Sequence, residues 1–224
     1  KQIIIQKAVT QGLDSNVPMK DSGVDWAPTV PDHWTLIPNK QLMKIRKHLV
    51  GSQHVDYQLL SLTKRGVIVR DLSKGEGKHS EFLDRAQEVR PGDLVFCLFD
   101  VEETPRTVGL AHDNGMISGD YTVFECKDTR VVEFLEYFYI AMDDRKMLST
   151  LYKGLRKRIP KPGFLRSKTP IPPLSELQQI VEYLDSVDSE LDEYLAVTRQ
   201  QITKLKEYKT TLINSAVTGK IKVV

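Results

Sequence analysis

Hydrophobic and polar positions change rhythm three times along the chain, and each rhythm predicts a different kind of element. Residues 1–10, KQIIIQKAVT, read as the last turns of a helix that stops at Gly12, a usual residue past a helix end. Because the first residue is Lys1, the chain is expected to begin inside that element. Residues 13–33 hold three prolines, a glycine and four aspartates without a period, which predicts an extended connector anchored on a surface by Trp26 and Trp34. From Trp34 to Pro173, short apolar runs are bounded by Gly, Pro and Asp. They predict strands over 57–62, 66–70, 93–99, 107–111 and 121–126. Lys40 and Gln41 open a short amphipathic stretch, while residues 131–142, VVEFLEYFYIAM, are too long and too continuously apolar for a strand and predict a buried helix. The result is an α+β domain of about 140 residues, an ordinary domain size.

The last rhythm is a heptad. Residues 175–218 contain no proline and no glycine. One row runs Leu177, Leu184, Leu191, Thr198, Leu205, Leu212; its companion runs Ile180, Val187, Tyr194, Gln201, Tyr208, Ser215. This predicts one long coiled-coil helix, opened by Pro172-Pro173 with Ser175 as cap and closed by Gly219. At 1.5 Å per residue it spans roughly 65 Å, more than the adjoining domain needs, so it calls for a partner helix. A solvated arm or a plain dimerisation stalk fits the heptads equally well. The two ends of the chain also resemble each other: QIIIQKAVTQG at 2–12 aligns with TTLINSAVTGK at 210–220, so residues 1–12 read as the end of an upstream copy of the long helix. The expected organisation is helix end and linker at 1–33, an α+β domain at 34–173, the long helix at 174–218 and a tail at 219–224.

Composition narrows the classes. With 32 Lys+Arg against 30 Asp+Glu the net charge is +2, and no apolar run reaches the roughly 18 residues of a membrane span. The start lacks the basic-apolar-small pattern of a signal peptide, so a cytoplasmic chain is expected. Cys97 and Cys126 lie in strand-like stretches and read as reduced core residues. The five histidines (His33, His48, His54, His79, His112) have no ligand spacing, and no metal site is expected. Charge is uneven, however. Residues 143–168 carry nine basic residues (Arg145, Lys146, Lys153, Arg156, Lys157, Arg158, Lys161, Arg166, Lys168) against two acidic ones, whereas 175–195 carry seven acidic residues and no basic one. A basic loop on an α+β domain suits a phosphate backbone, whose displaced counterions supply sequence-independent affinity. A solvated surface or an acidic protein partner is the competing reading.

Several segments together resemble one family, the specificity subunits of type I restriction-modification enzymes. KDSGVDWAPTVPDHW (20–34) is similar to the segment that leads into a target recognition domain; GDLVF (92–96) and GMISGDYTVF (115–124) resemble that domain's central strands. PIPPLSELQQIVEYLD (170–185) is similar to the entry into the long helix, with Leu177 where the family commonly has Glu. LKEYKTTLINSAVTGKIKV (205–223) and QKAVTQGLD (6–14) resemble the two helix exits. The resemblance covers essentially the whole chain. It implies two recognition domains per subunit, each reading half of a split DNA target, joined by two antiparallel helices. This chain would then be one half, either the C-terminal part of a two-domain subunit or a natural half-subunit that dimerises. The implied partners are double-stranded DNA, a methylation subunit, a restriction subunit, and a second copy or upstream half through antiparallel helix pairing, all in a prokaryotic cytoplasm. No cofactor is expected on this chain; S-adenosylmethionine, ATP and Mg are implied for the partner subunits.

Base readout needs Arg or Lys at guanine, Asn or Gln at adenine and carboxylates at cytosine amino groups. Candidates rim the predicted strands: Lys64 and Arg65, Lys74 and Lys78, Arg106, Ser118 and Tyr121. Lys153, Arg156, Lys157, Arg158 and Lys161 are candidates for phosphate positioning, with Arg156 standing where the family has a Gly-x-Arg-like turn. Tyr137 and Tyr139 read as core. Helix packing is assigned to Leu177, Ile180, Leu184, Val187, Leu191, Tyr194, Leu205, Tyr208 and Leu212. No catalytic constellation is expected: there is no Gly-rich phosphate loop, and Pro172-Pro173 follows Ile171 instead of the Asn of a methyltransferase motif. Two readings compete with DNA specificity. Glu125-Cys126-Lys127, with Asp113 upstream, has the spacing of a Mg-dependent nuclease, a weak pattern, and the coiled coil alone would make a scaffold.

Overall fold

Short strands, antiparallel wherever two of them pair, supply the sheets of this α+β chain, and helices cover them. The computed structural model describes residues 1–25, 27–70, 85–153 and 157–221. Helix α1 (Gln2–Gln11) precedes the hairpin β1 (Met19–Asp21) and β2 (Thr29–Pro31), then β3 (Thr35–Pro38), α2 (Asn39–Leu42) and β4 (Met43–Ile45). Next come β5 (Leu60–Thr63), β6 (Gly66–Val69), β7 (Gln87–Val89), β8 (Asp93–Phe96), β9 (Val108–Leu110), β10 (Gly115–Ile117) and β11 (Thr122–Cys126). Helix α3 (Val132–Asp144), α4 (Lys161–Arg166), β12 (Lys168–Ile171) and α5 (Leu174–Val217) complete the chain. It divides into two compact units, Gln2–Val181, and Lys1 with Glu182–Val224.

The central sheet runs β4-β11-β8-β9, and both of its faces are buried, which is why β8 reads as one continuous apolar run. Alternation sends Phe96 and Phe124 to one face, where they meet Tyr139 of α3 and Phe164 of α4 with ring centroids 4.9 to 5.3 Å apart. Val95 and Val123 go to the other and join Leu60, Val67, Val89, Ala111 and Ile117. Tyr139 is fully buried, as expected of a core residue, and its hydroxyl meets Thr169 Oγ1, which in turn donates to buried Asn39. Helix α1 packs on α3 through Ile5, Ala8 and Val9, and Trp34 meets Phe134 edge-on at 5.9 Å. On α3, Glu136 accepts the Leu110 N–H at 3.0 Å, and burial pushes its carboxyl above the ordinary 4.5. The folded chain therefore keeps this proton to higher pH than the unfolded one, so its contribution is complete below the unfolded value and is lost as pH rises through the folded one. Glu136→Gln, which keeps an acceptor for Leu110, is expected to flatten the fall of Tm with pH above 4.5 in paired melts of variant and wild type.

The buried helix and the long helix lie where the apolar rhythm placed them, within two residues at each end. Four expectations are corrected. The connector is partly a β-hairpin, closed by Ser22 N–H to the Pro28 carbonyl and Asp32 N–H to the Pro18 carbonyl, because three-residue strands are too short to carry an alternation. The strand expected at 93–99 stops at Phe96, and that expected at 57–62 is displaced to 60–63. Ser175 is no cap; α5 starts at Leu174, Leu177 N–H bonds the Pro173 carbonyl, and Glu176 supplies the acidic charge favoured in a first turn. The Glu176 carboxylate also accepts from Trp34 Nε1 at 3.1 Å and lies 2.6 Å from His33 Nε2.

Both helix ends stop on a left-handed glycine, Gly12 at φ 75° and Gly219 at φ 69°. Along α5, Leu177, Ile180 and Leu184 are buried, Val187 and Leu191 half-buried, and Tyr194, Leu205, Tyr208 and Leu212 exposed. No helix among the described residues is long and apolar enough to cross a membrane.

Candidate nucleic-acid interface

Past β8 the chain reverses through Asp100, whose φ of 45° is left-handed, and residues 157–159 run back beside it. Ile159 N–H bonds the Leu98 carbonyl and Asp100 N–H the Lys157 carbonyl, each at 2.8 Å, with Phe99 bridged to Arg158. This narrow ledge faces the turn between β10 and β11, and the cleft between them is lined by Phe99, Asp120, Lys153, Arg158 and Lys161. Arg158 lies over the Phe99 ring, 5.6 Å from its centroid, within reach of a cation–π contact. Lys153, Arg158 and Lys161 are exposed and carry no ion pair among the described residues. Lys157 differs. It is bound to Glu103 at 2.7 Å and Glu102 at 3.6 Å; the bond to Glu103 raises its pKa and lowers that of Glu103.

The other sequence candidates divide. Lys64 and Arg65 are exposed at the tip of the β5–β6 hairpin and do not line this cleft. Ser118 donates to Asp120 from within the β10–β11 turn, and Tyr121 is half-buried against the core, its hydroxyl pushed up by burial. Arg106 is engaged within the domain. It sits 14% exposed, 2.8 Å from Asp144 and 3.3 Å from Asp143, so its charge neutralises the acidic end of α3. Lys146 does the same at 2.9 Å from Asp143. Lys74, Lys78 and Arg156, and the anchor Trp26, lie outside the described residues.

A second charged group escaped the sequence reading. Arg46 just past β4 makes a bidentate pair with Asp93 of β8, Nε–Oδ2 2.7 Å and Nη2–Oδ1 2.9 Å, and lies 3.5 Å from Glu125 of β11. Asp93 also accepts the Arg90 N–H at 2.8 Å, while Glu88 faces Arg90, His48 and Arg46. Burial pushes Glu88 up, but the hydrogen bond and charge of Arg90, with His48 and Arg46 beside it, outweigh this and hold the carboxyl below the usual range. No local signal marked the group, since Asp93 stands at the start of the strand expected over 93–99.

This group also decides the geometry of Glu-x-Lys. Glu125 pairs with Lys44 at 3.3 Å and with Arg46, and Lys127 Nζ donates to the Lys40 carbonyl at 2.7 Å, so the two side chains are engaged separately. Among the described residues no three His, Cys, Asp or Glu are grouped to hold a metal. Both cysteines are free; Cys97 is buried, and burial pushes the Cys126 thiol up to about 12.

Residues 108–204 match the family model for the type I restriction modification DNA specificity domain, a stretch that contains α3, the basic ledge and more than half of α5. The fold is that of solved specificity subunits. The HsdS subunit from Thermoanaerobacter tengcongensis aligns with a TM-score of 0.51 at 17% identity over 98% of this chain and 51% of its own. A chain from a structure concerned with complex assembly and conformational transition of the type I R-M system aligns with a TM-score of 0.57 at 15% identity, over 96% of this chain and 51% of its own. The likeness to type I specificity subunits first drawn from sequence segments thus stands on both comparisons, and the chain spans about half the length of those solved chains. No curated protein matches it.

Proposed function

We propose that this chain is one DNA-reading half of a type I restriction-modification specificity subunit, non-catalytic itself, that recognises half of a split duplex target and docks the methylation and restriction subunits. The observation that carries this is the set of three exposed cations, Lys153, Arg158 and Lys161, which form no ion pair among the described residues and lie on one cleft edge inside the family-matched stretch. Phosphates on these cations position the duplex, and the turns beside them reach base edges. The methyl donor, ATP and Mg belong in this reading to the partner subunits, and the compartment is the prokaryotic cytoplasm. The reading is tested by whether the full protein binds duplex DNA with salt-sensitive affinity and captures its methylation subunit; salt-insensitive binding and no capture would overturn it.

The helix ends support an antiparallel partner. Ala8-Val9-Thr10 and Ala216-Val217-Thr218 share sequence, and both threonines bond the carbonyl four residues back at 2.7 Å. Yet Val9 is 0% exposed against α3, and Val217 is 82% exposed. In the proposed assembly the end of α5 is covered by the recognition domain of the other half, as the end of α1 is covered by this one. Val9→Asp is expected to unfold the unit, since an unpaired buried charge costs several kcal/mol. Val217→Asp should leave the melting temperature of the chain unchanged and weaken its association with the other half at least tenfold in sedimentation or titration. Unchanged association would exclude that end from the contact.

A further inference from the structure

The cleft that carries the cations also holds one carboxylate, and its placement is difficult to explain as decoration. Asp120 is exposed on the wall opposite Arg158, and among the described residues only Ser118 Oγ, at 3.3 Å, bonds its side chain and no cation comes within ion-pair distance. The turn that presents it is pinned from several sides. Buried Gln87 of β7 donates from Nε2 to the Ser118 carbonyl at 3.3 Å and to the Tyr121 carbonyl at 2.9 Å, holding both ends of the turn. Ser118 Oγ accepts the Asp120 N–H at 3.4 Å, and Gly119 packs so closely that a Cβ there would lie 2.6 Å from the Arg85 carbonyl. A carboxylate fixed this firmly beside phosphate-binding cations repels the backbone they attract, within a screening length of about 10 Å. It repays that repulsion when it accepts a hydrogen bond from the ligand, and the donors on the major-groove edge of a duplex are exocyclic amino groups, cytosine N4 above all and adenine N6.

We propose that Asp120 is a specificity-determining residue of the cleft, its carboxylate accepting from a base amino group while Lys153, Arg158 and Lys161 hold the flanking phosphates. This rests on the DNA-specificity reading above. The test uses the full protein with its methylation subunit, selecting bound duplexes from a random library for wild type, Asp120→Ala and Asp120→Glu. Asp120 is exposed, and a circular dichroism melt checks that each variant folds. The expected result is a wild-type motif in which one position, a cytosine or an adenine, loses about tenfold preference in both variants while the remaining positions keep theirs. Which base is lost distinguishes the two amino groups. Asp120→Glu retains the charge but displaces the carboxylate, so loss there separates base reading from simple repulsion. An unchanged motif with a uniform affinity gain in Asp120→Ala would overturn the proposal, leaving the carboxylate a charge only. If wild type selects no motif at all while folding and binding its partner, the DNA-specificity reading fails and this proposal falls with it.

Discussion

Replacing Lys153, Arg158 and Lys161 together by glutamate is expected to weaken duplex binding by the full protein on the order of 100-fold, with the fold intact. The three cations lie exposed on one cleft edge and form no ion pair among the described residues, so their charge is available to an outside ligand and its reversal costs the protein little. Each phosphate they neutralise contributes about 0.9 to the slope of log K against log salt, so the slope should fall by about 3 in the triple variant. Lys157→Glu serves as the contrast. Its ammonium already faces Glu103 and Glu102, and reversing it is expected to disturb the loop through like-charge contact more than it changes the salt slope. Lys64→Glu with Arg65→Glu probes the separate β5–β6 tip. A salt titration by fluorescence anisotropy checks all three; a slope unchanged in the triple variant would move the phosphate contacts elsewhere.

Asp93→Ala is expected to destabilise the Gln2–Val181 unit by about 3–5 kcal/mol in chemical denaturation, because it removes the bidentate partner of the Arg46 guanidinium, which is 13% exposed. The pair joins β4 to β8 across β11, so its loss is felt by three strands of the central sheet. Arg46→Leu combined with Asp93→Leu should recover most of that loss, since removing both charges relieves both desolvation penalties. Glu88 adds a pH signature. Its folded carboxyl is held below the ordinary 4.5, so the stability it contributes is present above the unfolded value and is lost as pH falls through the folded one. Arg90→Leu, which removes the contact that lowers its pKa most, should therefore reduce the acid sensitivity of the unit.

The parts of the molecule legible in the sequence are those whose signal is local and long. Helix α3 is an apolar run too long for a strand, and the 44-residue helix α5 repeats its heptad over many turns. Strands β8 and β11 declare themselves through apolar runs buried on both faces. What escaped is defined by remote partners. Strand β12 pairs with β3, Lys168 opposite Pro38, and β7 pairs with β10; three or four residues carry no alternation to detect. The candidate interface divides the same way. A run of basic residues is visible as composition, but which of them are free depends on acidic groups far along the chain: Asp143 and Asp144 take Arg106, and Glu102 and Glu103 take Lys157. Asp120 was not among the sequence candidates, because Gln87, which pins its turn, lies more than 30 positions upstream.

The central claim, that this chain reads DNA sequence as half of a specificity subunit, is tested most directly by methylation. The full protein and its methylation subunit are given a random duplex library and S-adenosylmethionine, and the methylated adenines are mapped. The account predicts a motif split into two short specific halves, with the half read by this chain lost in the Lys153, Arg158 and Lys161 triple variant. Methylation scattered without a motif, or a motif unaffected in both halves by that variant, would contradict it.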